Sequence, residues 1–150
     1  MVGTETGTQV TFTAPGTRPT VNGTDSEQDV FQITDDTLLA GLDISGGANG
    51  VYGDSVTGIT LRDVDVNNAG ASGFHILSLN GGTLSDNTAT NNGGPGFLVS
   101  TYNSGMLTNN TSNANDYEGF VLGYFNGGTL IGNVADNNSY HGFRVHQFND

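Results

Sequence analysis

Cysteine is absent from this 150-residue chain, so neither a disulfide nor thiolate chemistry contributes, and the compartment is left open on that ground. Lysine is absent as well. The only permanently charged bases are Arg18, Arg62 and Arg144, set against fifteen acids for a formal net charge of −12 with the three His neutral. Affinity for nucleic acid comes mainly from neutralising phosphates, so no nucleic-acid partner is expected. An anionic polysaccharide would need Ca²⁺ or a local arginine to bind. The acidity itself speaks to solubility and partners rather than to fold. No apolar run approaches the ~20 residues of a membrane span, so no membrane insertion is expected. Met1 is followed by polar residues without a secretory pattern, so an export signal, if the parent protein has one, is expected outside this chain.

Hydrophobic residues are also scarce, at 34%, and charged ones scarcer, at 12%. The chain nevertheless does not read as disordered, because it carries eight Phe, five Tyr and many Leu, Val and Ile. What it has in excess is Gly and Asn, the residues that adopt left-handed backbone conformations at least cost. That composition suits a fold of narrow turns better than a layered globule.

The turns recur. Gly-Phe pairs at Gly73-Phe74, Gly96-Phe97, Gly119-Phe120 and Gly142-Phe143 are each 23 residues apart, and Gly50-Val51 extends the series backwards. With each coil numbered from its Gly, position 2 is Val51, Phe74, Phe97, Phe120 and Phe143; position 4 is Gly53, Ile76, Val99, Leu122 and Val145. Position 12 is Leu61, Leu84, Leu107 and Leu130, and position 17 is Val66, Ala89, Ser112 and Ala135. Alternation of 2 and 4 marks one face of a strand. Each coil is therefore predicted to hold three short strands and no helix. Asn occupies position 15 (Asn87, Asn110, Asn133, interrupted by Val64), position 20 (Asn92, Asn115, Asn138) and position 8 (Asn80, Asn103, Asn126, Asn149). These columns predict asparagine ladders, with the Asn residues themselves taking the left-handed turn conformation and bonding to their copies above and below. Triplets such as Asn109-Asn110-Thr111 follow from the ladder and are poor evidence for glycosylation.

The predicted fold is all-β: a single right-handed parallel β-helix, or β-solenoid, of about five to six 23-residue coils. Residues 29–49 form a shorter coil in which Leu39, Leu42 and Ile44 echo Leu61, Val64 and Val66. Residues 1–28 are expected to form an irregular first coil, with Val10 and Phe12 in one strand, Val21 in another, and Pro15 and Pro19 in its turns. Residues 29–150 form the regular coils. Asp150 falls at position 9 of its coil with no cap, so a segment of a longer solenoid is expected, with end-to-end self-association at the open edge.

The pattern Gly-Phe-x-Val/Leu, Asn-Gly-Gly-Thr-Leu, Asn-x-Ala-x-x-Asn resembles the parallel β-helix repeats of carbohydrate-binding and sugar-cleaving proteins, the pectate-lyase-like group. That group includes pectate lyases, polygalacturonases, mannuronan epimerases, phage tailspikes and non-catalytic surface proteins. Asn133-Val134-Ala135-Asp136-Asn137-Asn138 leading to Gly142-Phe143 is similar to the repeats of mannuronan epimerases. Those enzymes carry a catalytic Tyr-Gly-Phe-Asp-Pro-His stretch. The run here is His141-Gly142-Phe143-Arg144-Val145-His146, which keeps the Gly, the Phe and the final His and replaces the Tyr by His141 and the Asp by Arg144.

In such a fold the outward positions of the first strand, 3 and 5, form the face along which the resemblance places a sugar chain. The middle coils are bland there: Leu98 and Val121 at position 3, Ser100 and Gly123 at position 5. The C-terminal coils bring Tyr117, Glu118, Tyr124, Tyr140, His141, Arg144 and His146 around that strand. The tyrosines would stack on sugar rings. Arg144 would neutralise a uronate carboxylate, and His146 or Tyr140 would move a proton, which makes Arg144 and His146 the catalytic candidates. His75 stands apart and reads as a surface residue. Asp63, Asp65 and Asp86 are the candidate metal ligands: stacked carboxylates repel unless a cation such as Ca²⁺ bridges them. The alternative is solvated carboxylates flanked by Arg62. The leading functional expectation is a non-catalytic structural or glycan-contacting segment of an extracellular or surface protein, with polysaccharide as the partner. The others are a fragment of a polysaccharide lyase or uronan epimerase, and a phage tailspike-like stem.

Overall fold

The computed structural model describes residues 9–11, as backbone, and 18–149. Phe12 and Pro15, expected in the first coil, lie outside the described residues, as does Asp150. Two short strands open the chain, β1 (Gln9–Thr11) and β2 (Thr20–Gly23). A coil of β3 (Phe31–Ile33) and β4 (Leu38–Gly46) follows, then one of β5 (Val51–Thr57) and β6 (Thr60–Asn67). From there each coil has three strands: β7 (Phe74–Asn80), β8 (Thr83–Ser85) and β9 (Thr88–Thr90), then β10 (Phe97–Asn103), β11 (Met106–Thr108) and β12 (Thr111–Asn113). The next comprises β13 (Phe120–Asn126), β14 (Thr129–Ile131) and β15 (Val134–Asp136), and β16 (Phe143–Asn149) begins another.

Every registered pairing is parallel. β3, β5, β7, β10, β13 and β16 stack into one six-stranded sheet, and the remaining strands form the other walls. The register is that of the repeat, with Phe74, Phe97, Phe120 and Phe143 in one line. Their rings stack nearly parallel at centroid distances of 4.6, 4.7 and 4.7 Å. The shorter coil aligns Leu39 with Leu61, Leu42 with Val64 and Ile44 with Val66. β1 and β2 both pair with β4, Val10 opposite Leu39 and Val21 opposite Ile44. The Gly that opens each coil is required by close approach: a Cβ on Gly73 would lie 2.8 Å from the Gly96 carbonyl oxygen and 2.9 Å from Ala89 Cβ.

Two features depart from the sequence reading. First, the long strand does not alternate to its end. Positions 5 and 6 both face outward and position 7 turns in, so Val56, Leu79 and Tyr102 are buried and Phe125 packs against them. The strand bends around a corner of the coil, and the pairing passes over position 5 as it does so. Tyr102 stacks on Phe125 at 5.0 Å, and its hydroxyl donates to the Thr129 carbonyl. Burial pushes that phenol up to about 12.

Second, the laddered asparagines are not the left-handed residues. Positive φ falls on the residue after the position-8 asparagines, at Gly81, Ser104 and Gly127, and on the residue before those of the other two ladders: Asp63, Asp86, Asn109 and Gly132 at position 14, and Asn68, Asn91, Ala114 and Asn137 at position 19. This tight turn swings the following Asn side chain inward. Asn87 Nδ2 donates to Leu61 O and to Asn110 Oδ1, both at 2.9 Å, and the Asn87 backbone N–H shares that oxygen. Asn110 repeats the arrangement with Leu84 and Asn133, and Asn92, Asn115 and Asn138 form the second inward ladder. The position-8 ladder runs the other way, each Asn donating to the coil before it, from Asn149 through Asn126 and Asn103 to Asn80.

Candidate functional site

The filled interior leaves positions 3, 5 and 6 of the long strands to form an outer face. Residues at positions 22 and 23 lead into it. Its N-terminal part is plain. Tyr52 and His75 pack edge to face at 5.4 Å. His75 is half-covered rather than free in solvent; burial lowers its pKa below 6.5, with Asp29 pulling partly in the opposite direction.

Toward the C-terminal coils the face becomes concave. Leu98 and Val121 form an apolar floor, and Ser100 and Gly123 lie beside it. Tyr124, His146 and Gln147 complete a shallow recess of about 330 Å³. The depression exists because the chain approaches itself closely: a Cβ on Gly123 would collide with the Ser100 carbonyl, so no side chain fills the middle. The residues that looked bland in the sequence are therefore the floor. Gln147 was not anticipated, since strict alternation puts position 6 inside the coil.

Arg144 pairs in register with Val121 of the floor, without itself lining the recess. Its Nη1 donates to Glu118 Oε1 at 2.9 Å. The Glu118 side chain is only 7% exposed, the Arg144 side chain 49%, and His141 Nδ1 lies 4.0 Å from the same carboxylate oxygen. Burial acts to raise the pKa of Glu118, but the Arg144 hydrogen bond, its own backbone N–H and the charges of Arg144 and His141 outweigh it. The carboxyl is held below its ordinary 4.5. The rings of Tyr117 and Tyr140, one coil apart, stack at 5.3 Å, and the two residues are 50% and 63% exposed. The structure thus joins Glu118, His141 and Arg144 in one cluster, Tyr117 and Tyr140 in a second, and Tyr124 and His146 at the recess.

The acidic candidates are arranged differently. Arg18, not Arg62, occupies their midst. Its Nε meets Asp43 at 2.8 Å, and its Nη1 meets Asp63 at 2.8 Å and Asp65 at 3.3 Å. Its Nη2 donates to the backbone carbonyls of Leu42 and Asp63. A guanidinium thus already compensates Asp63 and Asp65. Asp86 stands apart from this cluster, with a long 3.4 Å contact from Asn109 Nδ2. Among the described residues, no group of three or more His, Cys, Asp or Glu is disposed to hold a metal ion.

Compared with known proteins, residues 23–150 match a family model described as a right handed beta helix region. No curated protein and no solved structure matches the chain.

Proposed function

Because the chain belongs to the right-handed β-helix family, we propose that it is a rigid, non-catalytic solenoid segment of an extracellular or surface protein whose C-terminal coils contact glycan. The observation that carries this reading is the set of aromatic rings left in water on a face whose core is already filled. Tyr117, Tyr124 and Tyr140 are 50%, 54% and 63% exposed, and Tyr124 borders a recess with an apolar floor. Large apolar groups on an outer face, beside a concavity with a few polar groups, are the usual makings of a binding surface. Flat rings suit the C–H faces of sugars, and Ser100, Gln147 and His146 can exchange hydrogen bonds with hydroxyls.

The catalytic alternative draws less support. Arg144, the base that would hold a uronate carboxylate, is already engaged by a buried glutamate. The test is a titration of ¹⁵N-labelled protein with neutral hexo-oligosaccharides, read by chemical-shift change. Shifts clustered at Tyr124, His146 and Gln147, weakened in Tyr124→Ala, are expected. No shift at millimolar sugar would overturn the glycan reading. Turnover of alginate or pectate that is lost in both Arg144→Ala and His146→Ala would replace it with the lyase or epimerase reading.

A further inference from the structure

The charge arrangement at the recess bears on which glycans it admits. Arg144 is the only lysine or arginine after Arg62, in a chain of net charge −12, with the imidazoles of His141 and His146 on neighbouring positions. A lone arginine in such a setting would ordinarily attract an anionic sugar. Here it faces Glu118, whose carboxylate is almost wholly buried and bonded to it at 2.9 Å. Charges removed from water act on each other, and on an incoming ion, more strongly than exposed ones. Arg144 and Glu118 cancel as a pair, and His141, 4.0 Å from the same carboxylate oxygen, adds charge only when protonated. A uronate carboxylate approaching the exposed side of Arg144 would meet a second carboxylate immediately behind the guanidinium, inside an acidic molecule. The recess itself offers that anion little compensation: its floor is Leu98 and Val121, its gap is Gly123, and its polar groups are those of Ser100, Tyr124 and Gln147, with the imidazole of His146.

We infer that Glu118 is a specificity-determining residue: it masks Arg144 and reserves this face for uncharged glycans, excluding uronans. The inference rests on the glycan-contacting reading and narrows it. Like-charge juxtaposition of this kind suppresses the wrong partner more than it helps the right one.

Two probes that share a sugar backbone and differ in charge, by one methyl ester on each carboxyl, test it: an oligogalacturonate and its fully methyl-esterified form, each titrated at about 0.01 M salt, where the Debye length is ~30 Å. The native protein is expected to bind the ester at least about tenfold more tightly than the free acid, a difference of ~1.4 kcal/mol. Glu118→Gln keeps the shape and removes the charge, and should gain about tenfold or more for the free acid while leaving the ester unchanged. That gain should vanish in Glu118→Gln combined with Arg144→Gln. The native protein binding the acid as tightly as the ester overturns the inference even if Glu118→Gln fails to fold. So does a folded Glu118→Gln with no gain for the acid. In both cases binding of the ester leaves the glycan reading standing. Absence of binding to either probe and to neutral hexo-oligosaccharides overturns the glycan reading and the inference together.

Discussion

Phe97 shows how much one residue carries in a stacked fold. Its ring is fully buried between Phe74 and Phe120, at 4.6 and 4.7 Å. Rigid coils held by ladders on both sides cannot close over a missing ring, so Phe97→Ala should cost about 3–5 kcal/mol. Phe143 ends the described column and is 47% exposed, so Phe143→Ala should cost clearly less. Urea denaturation of the two variants checks this; equal losses would mean that the column does not stabilise by burial. Glu118 makes a second prediction at the same scale. With its pKa below 4.5 in the folded protein, it contributes stability that is present above 4.5 and lost as pH falls through the lower folded value. In Arg144→Gln burial is opposed less, so the carboxyl should titrate higher than in the native protein and the stability it contributes should be lost at a higher pH. Carboxyl ¹³C shifts of Glu118 followed against pH would decide it, and a titration unchanged in the variant would show that Arg144 is not what holds the charge.

At the scale of the element, the coil depends on turns that are made by two residues acting in sequence. One residue takes positive φ and the next sends an amide inward. Ala114 takes this conformation at φ 54° despite its Cβ, a placement that costs roughly 1–2 kcal/mol and shows how strongly the turn is imposed. The amide that follows is a structural group, not a surface one. Asn110 is fully buried, accepts from the backbone N–H and Nδ2 of Asn87, and donates to Leu84 O and Asn133 Oδ1. Asn110→Ala would strand several of these partners in the interior, each at about 1–3 kcal/mol. Thermal unfolding should show a loss well beyond that of Asn109→Ala, whose side chain is exposed. Comparable losses at the two positions would remove the distinction between laddered and turn asparagines.

At the scale of the molecule, burial is shared between coils rather than owned by any one of them, as in solenoids generally. The last described coil shows the consequence. Phe143, Phe148, Ile131 and Val134 are 47%, 65%, 58% and 52% exposed, and among the described residues β14, β15 and β16 each pair on one side only. A parallel edge beside apolar surface is a template for another chain. We therefore expect this chain to associate through that face in a concentration-dependent way, and Phe148→Asp to weaken the association. Light scattering that reports a monomer at the highest attainable concentration would count against it. The opposite flank is tied differently: Arg18 gathers Asp43, Asp63 and Asp65 from two consecutive coils around one guanidinium.

The sequence by itself determined the repeat and its register. A 23-residue period with Phe, Ile/Val/Leu, Leu and Asn in fixed columns has one economical solution, because identical coils can bury their apolar faces only by stacking in line. It also singled out Tyr117, Glu118, Tyr124, Tyr140, His141, Arg144 and His146 as the unusual residues around the long strand of the late coils. Tertiary structure decided what those residues do to one another. That the strand turns a corner between positions 4 and 7 depends on the shape of the closed coil, and strict alternation misplaces Tyr102 and Gln147 for that reason. That Arg18 enters the cluster of Asp43, Asp63 and Asp65 depends on where the first strands pack, at a separation of 45 residues from Asp63 that no local pattern encodes. And Arg144 is compensated because a coil spacing of about 4.8 Å brings its guanidinium against a carboxylate 26 residues earlier, buried by neighbours that only the stack supplies.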